Sequence, residues 1–385
     1  DNLIKCIFMR PTYAEISLNN LKSNFLNIRK KVRNVKIMAV VKADAYGHGV
    51  KKVINVYNSL GDKKPEYYAV AICDEAIKLR KYNVKQPILV FDPFEKNEAE
   101  AVFTYKIIPT VFENSHLDIL LRARNKRRRK NSIFKKIKVH IKIDTGMNRL
   151  GINSDEAVTF IEKLSHNDNF LIDGIYTHFA TSDEKDKTFA NLQLKRLKDL
   201  LNELKKRNIN YGLAHAANSG AILDIPESYF DMVRPGICLY GYYPSLETSE
   251  SIPVKPVMSL ISRIASVKTI SKNDTVGYGR TYTAKVKTKI VSVPVGYADG
   301  YNRNLSNKAR AIINGRSYNL IGKVSMDRII FNVKDDDVRV NDKVILIGEE
   351  NGSQVTAWDW CKLLDTIPYE ITCNISKRVP RVYRK

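Results

Sequence analysis

Residues 36–49 read KIMAVVKADAYGHG: an apolar, β-branched run that ends abruptly on Lys42, followed by an aromatic, a histidine and two glycines. A strand that stops on a lysine poses a physical question. A buried ammonium must be paired, solvated or chemically used, because leaving it alone in an apolar setting is costly. The neighbouring segments supply a setting. Comparable short runs recur at YYAVAIC, PILVF, IIPTV, IKVHIKID, LIDGIYTHF, INYGLAHAAN and MVRPGICLYG. The gaps between several of them carry helical periodicity, with one apolar stripe at Leu21, Phe25, Ile28 and Val32 and another at Leu194, Leu197, Leu201 and Leu204. Eight strands interleaved with helices predict a (β/α)8 barrel of the TIM type. Lys42 then stands at the C-terminal end of the first strand, the face where such barrels carry their sites. Lys142, Arg149, His178, Asn218, Ser219 and Arg234 fall at equivalent strand ends.

The texture changes near residue 246. ISRIASVKTI, TKIVSVPVGY, ARAIIN, RIIFNV and KVILIG are strand-like runs separated by Gly, Asn and Asp, and helical periodicity returns only at TAWDWCKLLDTI. The predicted organisation is an N-terminal strand within residues 1–18 that pairs with the later sheet, a barrel over 19–245, and a mainly-β domain over 246–385. A chain of 385 residues exceeds the size at which one core keeps growing, in keeping with two domains.

Composition narrows the function classes. Five scattered cysteines without a CxxC pair read as reduced thiols of a cytoplasmic protein, and the six histidines show no metal-ligand spacing. No apolar run approaches a membrane span, and the N-terminal DNLIKCIFMR has no signal-peptide arrangement. The net charge of +23 raises nucleic-acid binding as a class. However, the lysines are dispersed, and the single dense cluster, Arg122–Lys138, lacks an accompanying aromatic-rich module. We read it as a solvated helix face and loop.

VVKADAYGHG, IKIDTGMNRLG, YTHFA, HAANSGA, VRPGICLYG, VGYGRTY, VPVGYADGY, GKVSMD and TIPYEITCNISKRVPR occur in this order over nearly the whole chain. Together they resemble the successive motifs of the alanine racemase family. The resemblance implies a pyridoxal 5'-phosphate enzyme, with Lys42 holding the cofactor as a Schiff base and acting as one of two bases. It places Tyr46, Ser219, Gly236, Ile237 and Tyr369 around the phosphate, Arg234 against the pyridine nitrogen, and His178 between Arg234 and a catalytic tyrosine. That tyrosine is Tyr278, supplied by a partner subunit, so the resemblance implies a homodimer with shared sites. Arg149 and the Met326 backbone N–H are expected on the substrate carboxylate. Lys142 is expected to steady Arg149, in many relatives after carbamylation. Asn218 supports Ser219, and Tyr297 and Asp327 line the approach to the site. The implied reaction interconverts L- and D-alanine for peptidoglycan. A serine or broader amino-acid racemase, or a decarboxylase of the same fold, is the alternative.

The physics of these residue types agrees. A desolvated amine has a lowered pKa and can serve as nucleophile and base. A guanidinium has only donors, so it leaves a ring nitrogen unprotonated and weakens the ring as an electron sink.

Overall fold

A computed structural model of the chain describes residues 10–128 and 136–385. It divides into two compact units, one formed by residues 21–45 and 49–255, the other by residues 10–20, 46–48 and 256–385.

The first unit is the barrel. Its strands are β1 (Lys36–Val40), β2 (Tyr67–Val70), β3 (Ile88–Val90), β4 (Ile108–Val111), β5 (Ile137–Asp144), β6 (Phe170–Tyr176), β7 (Leu213–His215) and β8 (Met232–Val233). All adjacent ladders are parallel, and β8 pairs back on β1 through Met232 and Val233. Between β7 and β8 the ring closes by backbone hydrogen bonds from Asp231 to Ala214 and from Arg234 to Ala217. The strands read as continuous apolar runs because both faces are covered, by barrel interior on one side and helices on the other. The two predicted stripes lie on helices Leu18–Val32 and Thr188–Lys206, with Leu21, Phe25, Ile28, Leu197 and Leu204 fully buried.

One ladder is irregular. Between β5 and β6 the register advances from Val139 opposite Ile172 to His140 opposite Gly174, which leaves Asp173 as the extra residue of a β-bulge. Gly174 is required there: a Cβ on it would lie 2.7 Å from the His140 ring and 2.6 Å from the Leu213 carbonyl.

The second unit is strand-rich. Tyr13–Ser17 pairs antiparallel with Met258–Arg263 and parallel with Arg381–Arg384, inside a seven-stranded sheet. A three-stranded sheet follows (Ser266–Ile270, Thr288–Val293, Ile329–Lys334), and a small hairpin of Thr275–Val276 with Tyr282–Thr283 displays Tyr278 at its turn. Two short helices, Ala357–Leu364 and Pro368–Asn374, complete it. Of the quoted opening stretch, Tyr46–His48 belongs with this unit. Gly47 has φ +79°, and a Cβ on it would collide with the Thr372 carbonyl, so only glycine fits.

Cys6 and residues 129–135 of the basic cluster lie outside the described residues. The neighbouring cations have partners within the barrel unit: Arg124 with Asn169, Lys126 with Glu100, Arg127 with Thr104, Lys136 with Asp168 and Lys138 with Asp173. Among the described residues, no helix is long and apolar enough to cross a membrane, and no group of His, Cys, Asp or Glu could hold a metal ion.

Candidate active site

Lys42 follows β1 by two residues and opens an unusual turn. Ala43, Asp44, Ala45 and Tyr46 all have φ between +52° and +58°, one turn of left-handed helix built without glycine. For L-residues that conformation is unfavourable by roughly 1–2 kcal/mol each. The turn is held from outside. Glu75 accepts from the Ala43 N–H at 2.5 Å, Asp44 Oδ1 accepts from the Val50 N–H at 3.0 Å, and the Gly49 N–H donates to the Asp44 carbonyl at 2.9 Å. Strain of this kind persists where surrounding structure over-determines it, which is typical of functional sites.

Around the C-terminal ends of the barrel strands the structure gathers positive charge. Lys142 is 8% exposed, with Nζ 4.7 Å from the centre of the Tyr176 ring. Burial, then Arg234 and Arg149, pushes its amine well below the usual lysine range. Arg234 is also buried. Its Nη1 donates to His215 Nδ1 at 2.8 Å, and its Nη2 donates to the Thr177 and Ala216 carbonyls and, at 3.3 Å, to His178 Nδ1. Burial brings its guanidinium down to about 10, so it stays charged at neutral pH. The field of Lys142, Arg234, Arg149 and Lys42, added to burial, drives His178 well below its ordinary value. His178 is therefore neutral, and since Arg234 can only donate, the His178 proton sits on Nε2. Among the described residues neither Lys142 nor Arg234 has an ion-pair partner.

The HAANSGA segment organises the next part of the rim. Asn218 caps the helix Ser219–Asp224 by accepting from the Ala221 N–H at 3.1 Å, and it accepts a second bond from Ser182. Ser219 Oγ accepts from the Gly236 N–H at 2.9 Å and, more weakly, from the Cys238 N–H. The Gly236 N–H is thus engaged internally, and the Ser219 hydroxyl keeps its own proton to donate. Ile237 begins the 3-10 turn that follows Gly236.

The remaining sequence-predicted residues lie in the second unit. Tyr46 and Tyr369 come together there, ring centres 5.9 Å apart. Tyr278 is 73% exposed and Met326 51% exposed, on separate turns, and Asp327 is ion-paired to Arg378 at 2.7 Å. The Tyr297 N–H donates to the Ser325 carbonyl and the Ala298 N–H to the Met326 carbonyl, which ties the VGYADG turn to the SMD turn.

The sequence motifs did not single out Tyr176 as a site residue. Its ring carries both Lys142 and Arg234 on its π-face and stacks on His215 at 4.9 Å and 4°. Its hydroxyl donates to Thr110, which in turn donates to the Val90 carbonyl. The signal available was its place two residues before His178 in YTHFA, on the opposite phase to the exposed positions of the strand.

The chain thus joins a parallel barrel with buried cations at its strand ends to a strand-rich unit. The alanine racemase N-terminal domain model matches residues 16–244 and the alanine racemase C-terminal domain model residues 257–383. The alanine racemase of Halothermothrix orenii is 43% identical over 97% of both chains, and alanine racemase 2 of Caldanaerobacter subterraneus is 40% identical over 97% of this chain and 95% of its own. The solved alanine racemase of Clostridium difficile superposes with a TM-score of 0.89 at 37% identity, over 98% of this chain and 96% of that one. The chain belongs to the alanine racemase family.

Proposed function

We propose that this chain racemises alanine, interconverting the L and D enantiomers with pyridoxal 5'-phosphate held on Lys42, in the cytoplasm and for peptidoglycan synthesis. The observation that carries the reading is the buried charge of Lys142 and Arg234 at the strand ends, neither of which has a direct ion-pair partner among the described residues. A phosphate-bearing cofactor and a substrate carboxylate are the anions such a rim accommodates. The residues fit the group. Arg234 retains two N–H donors beyond its protein partners, and Ser219 retains its hydroxyl proton; the family pattern adds Tyr46, Ile237 and Tyr369 at the phosphate. Gly236 belongs to that pattern through its turn, since its N–H already serves Ser219.

When bound, the cofactor would withdraw electron density from the substrate Cα and so acidify its Cα–H. The protein's part is to move and hold the proton. Lys42, an amine at the mouth, takes or returns it on one face. Tyr278 of the partner subunit serves the other, which explains why a tyrosine flanked by two glycines stands so exposed in a single chain. His178, neutral and protonated on Nε2, offers that proton to the phenolate oxygen while Arg234 holds its Nδ1. Arg149 orients the carboxylate and the Met326 N–H assists. Tyr297 and Asp327 border the approach, and Tyr297 with Tyr369 bounds a small pocket that favours alanine. Arg234, a donor only, leaves the ring nitrogen unprotonated, which restrains transamination and speaks against the decarboxylase reading.

Lys142 fits carbamylation. Burial, with Arg234 and Arg149, lowers the pKa of this amine, and its unprotonated form attacks carbon dioxide, releasing one proton and leaving a carbamate anion in the field of the two guanidinium groups. Labelled bicarbonate should give a carbamate carbon resonance that Lys142→Met abolishes.

The defining test is proton NMR of L-alanine in heavy water with a chiral assay of the product. Cα deuterium in both enantiomers, lost on stripping the cofactor and restored by adding it, is the expected result. Exchange in serine but not alanine reassigns the substrate, and exchange confined to L-alanine removes Tyr278 as the second base.

A further inference from the structure

Behind Arg234 a chain of side chains runs down the barrel interior, and its direction is dictated at both ends. Arg234 Nη1 stands 2.8 Å from His215 Nδ1, His215 Nε2 stands 2.9 Å from His140 Nδ1, and His140 Nε2 stands 3.4 Å from Asp173 Oδ2. A guanidinium can only donate and a carboxylate can only accept. His215 therefore accepts on Nδ1 and donates from Nε2, and His140 does the same. Each imidazole carries one proton, on Nε2, and every bond points from the arginine toward the carboxylate. Both rings are fully buried, and burial holds them neutral.

Asp173 is placed for this end of the chain. It is the extra residue of the bulge between β5 and β6, which re-aims its side chain toward His140. Gly174 beside it leaves the room that the His140 ring occupies. Lys138 donates to Oδ1 at 2.7 Å and the Tyr67 hydroxyl to Oδ2 at 3.0 Å, and these with His140 keep the carboxyl ionised. At the other end, Tyr176 stacks on His215 and fixes its plane.

We propose that Asp173 is a positioning residue for racemisation: through two one-way imidazoles it supplies the counter-charge that orients Arg234 and tempers the guanidinium's field. The proposal rests on the assignment of Arg234 to the cofactor ring. Its logic is that of a carboxylate behind a liganding histidine, which fixes tautomer and raises basicity without touching the reacting atoms.

The test compares Asp173→Asn, which removes the charge and keeps the shape, with Tyr67→Phe, which removes a hydrogen bond to the same carboxylate and keeps its charge. In the holoenzyme, Asp173→Asn should lower kcat about ten-fold with KM nearly unchanged and move the visible absorption band of the bound cofactor. Tyr67→Phe should leave kcat within about two-fold and the band in place, and Asp173→Glu should recover part of the loss. If Asp173→Asn matches Tyr67→Phe in both kcat and absorption, the proposal is overturned. A second measurement needs neither a variant nor activity. In wild-type protein stripped of cofactor and labelled with 15N-histidine, both buried rings should show a protonated Nε2 and a bare Nδ1. A proton on either Nδ1, or a doubly protonated ring, overturns the one-way chain even if racemisation is confirmed. Conversely, the expected 15N pattern in a protein without racemase activity would retain the chain and remove the functional reading on which its role depends.

Discussion

Lys138 and Lys142 sit on the same strand, four residues apart, and face opposite electrostatic circumstances. Lys138 is half-exposed and meets the Asp173 carboxylate at 2.7 Å. Lys142 is buried over an aromatic face, with two guanidinium groups in its field. Lys138 has its charge settled within the protein, whereas Lys142 has no ion-pair partner among the described residues. The same residue type is therefore ion-paired at one level and desolvated without an ion pair two pleat repeats higher, and burial with its partners decides which.

The comparison can be broken at its active end first. On the proposed assignment of Lys42 as cofactor attachment and base, Lys42→Met should lower racemisation at least about 10³-fold, and the absorption of covalently bound cofactor should vanish with it. A loss of less than about ten-fold would move the chemistry off Lys42.

The settled end is sensitive to acid. His140 and His215 are fully buried, and both have their pKa values lowered by desolvation. As pH falls below about 6.5 the unfolded chain takes up protons that the folded rings refuse, so stability falls with pH. The slope is about 1.4 kcal/mol per pH unit for each ring, down to the folded pKa. Urea midpoints between pH 7 and pH 5 should therefore drop steeply, and a flat profile would mean that the rings titrate freely.

Exchanging the two lysines for methionine should give opposite signs. Lys142→Met removes a desolvated amine and should raise the stability of the cofactor-free protein by roughly 1–2 kcal/mol. Lys138→Met leaves Asp173 short of a partner and should lower it by about 1 kcal/mol. Equal signs in thermal melts would dissolve the contrast. The smallest effect lies in the turn after Lys42. Ala43 is exposed with φ +52°, and Ala43→Gly should change stability by less than about 1 kcal/mol, toward stabilisation, since relief of the left-handed backbone slightly exceeds the added chain entropy of glycine.

Much of this was legible in the sequence. The eight apolar runs are the eight barrel strands, in order, because strands covered on both faces must be continuously apolar, and the two leucine-rich stripes are helices for the matching reason. The candidate residues at strand ends were legible through position alone. The left-handed turn was not, because Ala43, Asp44 and Ala45 carry no glycine to announce it. The one-way chain was equally silent. His140, Asp173 and His215 are dispersed over 76 residues of sequence, and the bulge that brings two of them together has no local signature. Nor could alternation reveal that Tyr46–His48 associate with the strand-rich unit.

The turn from Ala43 to Tyr46 has one more consequence. Its backbone dihedrals are those that mirror-image amino acids adopt at ease, so a chain of L-residues here traces the handedness of its own enantiomer. A semisynthetic protein carrying D-alanine at position 43 would sit in its natural well where the encoded residue is held under tension. In a family named for interconverting the two forms of alanine, the segment that follows Lys42 is, among the described residues, where four consecutive L-residues take a backbone that the D form would fit better.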